Sequence, residues 1–195
     1  METITAGNTR IHGQSFVKQI LYVLAGSSFL ALMSQLSIPL FFTPVPMTLQ
    51  LLALFLLGAF QGSKTAALSV IAYLIEGTFG LPVFAGGTSN PLWFLGVRAG
   101  YLIGFVLAAY LVGKVVEMSS KITLVRLLFA MTAAQAVVYV LGFCCLSFFV
   151  GFSQALLLGV VPFLAVDALK IISAALIAYG ALRMLKEKLS LNDSI

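Results

Sequence analysis

Long apolar runs, separated by short polar connections or connections rich in proline and glycine, make up most of this chain. The runs are continuous and do not alternate between apolar and polar positions, so they favour membrane-spanning helices of about 20 residues over barrel strands. Breaks in the pattern set the limits of each run, because a proline disfavours helix in the residue before it. The pattern predicts an all-α integral membrane protein, a bundle of six transmembrane helices at 16–38, 47–62, 64–79, 95–117, 123–149 and 158–183.

Two of the connections, 40–46 and 80–94, contain prolines, glycines and aromatic residues and cannot be regular helix. Irregular backbone near membrane depth is tolerated only where it is buried in protein or borders a water-filled cavity. Both connections fall on the same side of a six-helix bundle, and we expect them to lie over a site. Their aromatic residues have two possible roles: an interfacial belt, or a lid over a partly apolar ligand.

Composition agrees with a membrane protein. Of the 195 residues, 61% are hydrophobic and 9% are charged, whereas a soluble domain carries about 25% charged residues. This excludes a soluble enzyme domain, a disordered chain and a disulfide scaffold. We expect one membrane domain over 1–195, with cytoplasmic tails at 1–15 and 184–195 and the bundle at 16–183.

The basic residues predict the orientation. The net charge of +5 could indicate nucleic-acid binding, but Lys and Arg are scattered along the chain and do not form a patch, so we expect no nucleic-acid partner. With both termini inside, nine of the eleven basic residues fall on the cytoplasmic side, as the positive-inside rule requires. These nine are Arg10, Lys18, Lys64, Lys114, Lys121, Arg126, Arg183, Lys186 and Lys188.

Four ionisable residues remain in the outer half of the predicted bundle: Glu76, Arg98, Asp167 and Lys170. A charge in the hydrocarbon costs at least about 2.5–3.5 kcal/mol on insertion scales, so each needs a partner or a function. Asp167 and Lys170 are three residues apart and can share a helix face. They form either a structural ion pair or part of a ligand site, and the convergence of several helices favours the site.

No catalytic residue and no metal site is expected. The sequence has one histidine, His12, and two adjacent cysteines, and it contains neither an HExxH nor a GxSxG motif. The segment 58–65 resembles a phosphate-binding loop, but Ser63 occupies the place of a required glycine and the segment follows an apolar span. We therefore expect no cofactor and no ATP hydrolysis by this chain.

Small residues predict close helix packing. Gly96, Gly100 and Gly104 form a GxxxGxxxG ridge on the fourth span, which we assign to internal packing. Ser27 and Ala31 form a weaker pair on the first span, suited either to internal packing or to a partner helix.

Four segments together carry a resemblance to a known family: Pro44-Val-Pro-Met-Thr-Leu-Gln50, Gly80-Leu-Pro-Val-Phe-Ala-Gly-Gly87, Gly100-Tyr-Leu-Ile-Gly-Phe105 and Pro162-Phe-Leu-Ala-Val-Asp-Ala-Leu-Lys170. They resemble the BioY family, the biotin-specific substrate-binding (S) components of energy-coupling-factor (ECF) vitamin transporters. The resemblance covers nearly the whole chain. It implies a six-helix fold in the bacterial cell membrane, biotin as ligand, and as partners a transmembrane coupling protein and two ATPase subunits. Ser27 and Ala31 are then candidate contacts for the coupling protein.

The resemblance also implies that Asp167 and Lys170 line the biotin pocket. An ionised aspartate suits the N–H groups of the ureido ring, and Asn90 could complement its carbonyl. Lys170 or Arg98 would meet the biotin carboxylate, and the choice between them stays open. The remaining candidates for ligand binding are Gln50, Phe84, Trp93 and Tyr101.

Two other functions compete with this one. The first is a self-sufficient carrier for biotin or a related small carboxylate, driven by protons, with Glu76 and Asp167 as the proton relay. The second is an intramembrane enzyme or assembly factor, which the lack of a nucleophile–base set disfavours.

Overall fold

Helices account for most of the described chain. In this computed structural model, residues 16–119 and 122–192 are described, and for 186–192 only the backbone is. The predicted tail 1–15 with Arg10, Lys121 and the side chains of Lys186 and Lys188 lie outside that description. The helices are α1 (Phe16–Gln35), α2 (Gln50–Gln61), α3 (Ser63–Thr78), α4 (Ala99–Glu117), α5 (Leu124–Val150), α6 (Phe152–Gly159) and α7 (Leu164–Asn192). Short antiparallel strands, β1 (Ser37–Ile38) and β2 (Met47–Thr48), and 3₁₀ turns at Trp93–Leu95 and Val161–Phe163 complete the described elements.

Four stretches of the described chain are long and apolar enough to cross a membrane: α1, α4, α5 and Phe152–Leu185. The helices α2 and α3 are shorter, with 12 and 16 residues. At about 1.5 Å per residue they reach about 18 and 24 Å, less than the roughly 30 Å of a hydrocarbon core. The protein is therefore a multi-pass helical membrane protein, and the count of six spans stays a prediction.

The sixth predicted span, 158–183, differs from the structure. The helix α5 ends at Val150 and is followed by Gly151, whose φ of 82° lies in the left-handed region that favours glycine. A short α6 follows, a 3₁₀ turn with Pro162 interrupts the chain, and α7 then continues to Asn192. The predicted C-terminal tail is thus helical over most of its length, because its Leu, Lys and Glu residues are good helix formers.

The packing of α4 against α5 depends on glycines. A Cβ on Gly100 would collide with the backbone oxygen of Leu141, and one on Gly104 would lie 3.0 Å from Val138 Cα. The predicted internal role of these two glycines is confirmed. Gly96 precedes α4 and is not part of the ridge, so that part of the prediction was wrong.

Hydrogen bonds tie the connections together at both ends of the bundle. At one end, Ser63 donates from its backbone N and its Oγ to the Glu117 carboxylate, both over 2.7 Å. At the other end, Thr43 Oγ1 donates to the Leu158 carbonyl oxygen over 2.7 Å. We call this second end, where 39–46, 79–98 and the end of α6 meet, the cavity end.

Candidate ligand-binding site

The cavity end encloses a cavity of about 400 Å³. This volume falls within the roughly 300–1,000 Å³ of small-molecule sites. Its walls come from α2, α3, α4, α5 and α7 and from both irregular connections. The structure brings all eight predicted ligand-binding residues together around it, and their part in binding stays a prediction. The eight are Gln50, Phe84, Asn90, Trp93, Arg98, Tyr101, Asp167 and Lys170.

The most polar part of the wall surrounds Asp167. Lys170 Nζ lies 2.8 Å from Asp167 Oδ1. Two residues of α5 bind the other carboxylate oxygen: Tyr139 OH donates to Oδ2 over 2.7 Å and Gln135 Nε2 over 2.9 Å. Asp167 is 6% exposed and Lys170 7%. We call Gln135, Tyr139, Asp167 and Lys170 the Asp167 cluster.

The cluster supplies most of the hydrogen bonds that the Asp167 carboxylate can accept. A buried ion pair is stable only when hydrogen bonds compensate both groups for lost water. A carboxylate has about four acceptor positions, and three donors occupy Asp167, which leaves one position on Oδ1. The pair thus links two turns of α7 and also presents an acceptor at a cavity wall. The two roles weighed for Asp167 and Lys170 are compatible.

Gln135 and Tyr139 were not predicted from the sequence, although both line the cavity. They lie four residues apart in the apolar run of α5, a spacing that puts both on one helix face. An amide and a phenol at that spacing inside an apolar helix were the available signal.

A second polar network lies on the α2 and α3 side of the cavity. Gln50 Nε2 donates to Tyr73 OH over 2.7 Å, and Thr48 Oγ1 donates to Gln50 Oε1 over 3.1 Å. Gln50 was predicted, whereas Thr48 and Tyr73 were missed. The Tyr73 ring meets the Phe84 ring edge to face at 5.5 Å between centroids. This network holds Phe84, a residue of the second irregular connection, against the cavity.

Two aromatic side chains of the cavity, Trp93 and Tyr101, are held in place by hydrogen bonds from their polar atoms. Trp93 Nε1 donates to Thr78 Oγ1 and Tyr101 OH donates to the Gly159 carbonyl oxygen, each over 2.9 Å. Because both donors are occupied within the protein, these two rings offer mainly apolar surface to a ligand.

Arg98 and Asn90 are exposed. Arg98 Nε donates to the Pro44 carbonyl oxygen over 2.7 Å, which joins the start of α4 to the 40–46 connection. Asn90 Oδ1 accepts the backbone N–H of Leu92 over 2.9 Å. Both side chains therefore belong to the rim of the cavity.

Glu76 is placed differently from the prediction. It is not among the residues that line the cavity, and its Oε1 accepts a hydrogen bond of 2.6 Å from Ser27 Oγ, which connects α3 to α1. Glu76 was predicted to share a site with Asp167 and Lys170 because it lies at a similar depth in the bundle, but its side chain faces α1. The proposed proton relay through Glu76 and Asp167 gains no support from this geometry.

Ser27 is 0% exposed and Ala31 is half-buried in the single chain. A partner protein could reach Ser27 only after α1 moved away from Glu76. The contact predicted for Ser27 and Ala31 stays a prediction.

The fold and the cavity together define a helical multi-pass membrane protein with a ligand-sized cavity at one end. The chain belongs to the BioY family, whose model matches residues 5–187. This confirms the family resemblance drawn from the four segments.

Two curated relatives and one solved structure resemble the chain over most of its length. The biotin transporter BioY of Thermotoga maritima is 38% identical over 144 residues, which are 73% of this chain and 83% of the relative. The probable biotin transporter BioY of Pyrococcus horikoshii is 37% identical over 139 residues, 69% and 79% of the two chains. A crystal structure of the S-component for biotin from an ECF-type ABC transporter matches with a TM-score of 0.77 at 26% identity, over 89% of this chain and 95% of that one.

Proposed function

We propose that this chain is the biotin-binding S component of an ECF-type vitamin importer in the cell membrane. The observation that carries the proposal is the Asp167 cluster, a hydrogen-bonded carboxylate in the wall of a cavity of about 400 Å³. Membership of the BioY family and the structural match to a biotin S-component identify biotin as the ligand to test.

The ureido ring of biotin fits the buried end of this cavity. The ring carries two N–H donors, and the open acceptor position of Asp167 can receive one of them. Tyr101, Phe84 and Trp93 supply apolar surface for the thiophane ring and the alkyl tail. The side-chain Nδ2 of Asn90 can donate to a ligand oxygen that reaches the rim.

Arg98 is the better partner for the biotin carboxylate. Lys170 is buried and already neutralised by Asp167, so a second carboxylate beside it would bury an additional negative charge. Arg98 is exposed and uses only its Nε in the bond to Pro44, which leaves its remaining N–H groups for a charge-assisted bond. We therefore infer that the ring enters first and the carboxylate stays at the rim.

The orientation and the partners form part of the same proposal. Lys64 at the start of α3, Lys114 near the end of α4 and Arg126 at the start of α5 lie away from the cavity end. By the positive-inside rule this supports six spans, cytoplasmic termini and a cavity open to the outside. Release of biotin inside would then need a transmembrane coupling protein and two ATPase subunits, with α1 and its Ser27 and Ala31 as candidate contacts.

The chain contains a natural probe for this proposal. Its one tryptophan, Trp93, lines the cavity. Biotin added to the detergent-purified protein should change the Trp93 fluorescence saturably, and calorimetry of the same sample should give about one biotin per chain. Calorimetric binding without a fluorescence change would place biotin outside this cavity, and no binding in either measurement would refute the proposed function.

A further inference from the structure

Gln135 has an unused hydrogen-bond acceptor. Its side chain is 5% exposed and lines the cavity. Its Nε2 donates to Asp167 Oδ2 over 2.9 Å, but its Oε1 is buried and has no hydrogen-bond donor among the described residues. Buried polar atoms of proteins nearly always have a partner, so such an atom in a cavity wall indicates a ligand contact.

The neighbours of Gln135 explain why Oε1 is left open. An ionised carboxylate only accepts, so the amide must turn its nitrogen towards Asp167 and its oxygen elsewhere. Tyr139 has a single hydroxyl hydrogen, and it donates that hydrogen to Asp167. Both acceptor positions of Asp167 Oδ2 are therefore used, and the amide and carboxylate oxygens of the cluster keep two open acceptor positions: Gln135 Oε1 and the remaining position on Asp167 Oδ1.

We infer that Gln135 Oε1 accepts an N–H of the bound ligand, and that Gln135 and Asp167 together select a ligand with two N–H donors, as in a cyclic urea. This inference rests on the proposed function, because the ureido ring of biotin carries such a pair. It assigns one ring nitrogen to each acceptor. Desthiobiotin, which keeps the urea, retains both contacts, whereas a ligand methylated on either nitrogen loses one.

The test combines a variant with modified ligands. Gln135→Leu removes the acceptor, and biotin affinity is measured by calorimetry beside the two analogues that carry a methyl group on one or the other ureido nitrogen. The parent should bind both analogues less well than biotin. Gln135→Leu should bind biotin about tenfold more weakly, which is the worth of one hydrogen bond of this kind. It should also lose the discrimination against one analogue and keep it against the other.

Gln50→Leu is the matched control. Gln50 is also 5% exposed and lines the same cavity, but both of its amide atoms are bonded to Tyr73 and Thr48. Its substitution should weaken binding of biotin and both analogues by the same factor. If Gln135→Leu behaves in that way too, Gln135 merely positions Asp167 and the inference is wrong.

Gln135→Met is a second variant to use if the leucine variant does not fold. Methionine has a flexible side chain of similar volume, and the same selective loss is expected.

Two outcomes for the parent protein separate the inference from the proposed function. A parent protein that binds biotin and both methylated analogues equally would overturn the inference while leaving the proposed function intact. A parent that binds no biotin would overturn the proposed function itself.

Discussion

The Asp167 cluster and the Ser27–Glu76 pair are two ways of placing a carboxylate among apolar helices. Asp167 accepts hydrogen bonds from three side chains, one of them cationic, and faces a cavity. Glu76 accepts one from Ser27 and joins α3 to α1 away from the cavity. An acidic residue within an apolar helix therefore indicates either a helix contact or a ligand site, and the adjoining cavity distinguishes the two.

The two carboxylates also differ in how much charge they must compensate. Asp167 is buried beside a cation, so removing either partner leaves a buried charge without its counterpart. Glu76 is half-buried and accepts a hydrogen bond from the neutral hydroxyl of Ser27. The amide oxygen of a glutamine could accept the same bond. Variants at the two positions should therefore differ strongly in their effect on biotin binding.

The largest effect is expected for Asp167→Asn. The substitution removes the negative charge that compensates Lys170 and turns part of the acceptor surface into a donor. We expect biotin affinity to fall at least tenfold, about 1.4 kcal/mol, in calorimetry of the purified protein. Parental affinity in a folded Asp167→Asn protein would show that the pocket assignment is wrong.

Lys170→Ala should come next. It leaves the Asp167 carboxylate without its cation, although Tyr139 and Gln135 still donate to it. A loss of at least tenfold in biotin affinity is expected. Lys64→Ala is the control, since Lys64 is an exposed lysine at the start of α3. The biotin affinity of this variant should stay within about twofold of that of the parent.

A smaller loss is expected for Tyr139→Phe. The change removes one neutral donor to Asp167 Oδ2 and keeps the ring, so affinity should fall about threefold to tenfold. Tyr110→Phe changes an exposed tyrosine of α4 and serves as the comparison. Equal affinities of the two variants would mean that the Tyr139 hydroxyl does not support the site.

Arg98→Ala tests the other end of the ligand. Because the rim is exposed, one charge-assisted bond there should contribute about fivefold to the affinity for free biotin. The methyl ester of biotin should bind parent and variant equally. If Arg98→Ala weakens binding of the ester by the same factor, Arg98 does not bind the biotin carboxylate.

The smallest effect is expected for Glu76→Gln. The amide oxygen can still accept the Ser27 hydroxyl, and Glu76 does not line the cavity. Biotin affinity should remain within about twofold of the parent. A tenfold loss would mean that Glu76 does act on the ligand and would erase the distinction between the two carboxylates.

Much of the site was accessible from the sequence, because charge, spacing and breaks in periodicity are visible there. Asp167 and Lys170 were found because they are charged residues in an apolar run, and their i, i+3 spacing placed them on one helix face; the irregular connections were found from their prolines and glycines. The face on which a residue lies was harder to judge. Tyr73 and Glu76 are three residues apart on α3, yet only Tyr73 borders the cavity.

Other features depended on packing that a single sequence does not reveal. The spacing of Gln135 and Tyr139 could mark a polar face of α5, but only the packing of α5 beside α7 shows that the Gln135 amide reaches Asp167 over 2.9 Å. The break between α6 and α7 was missed because the apolar run continues through Gly159 and Pro162 without a polar residue. Helix limits inside a uniformly apolar stretch are set by turn geometry, which hydropathy does not record.

The most direct test of the account is an experimental structure of the protein with biotin bound. We expect the ureido ring beside Asp167, with a nitrogen within about 3.2 Å of its carboxylate, and the biotin carboxylate towards Arg98. Biotin found outside the cavity, for example in the apolar groove between α1 and α3 near Ile20 and Ile71, would contradict it.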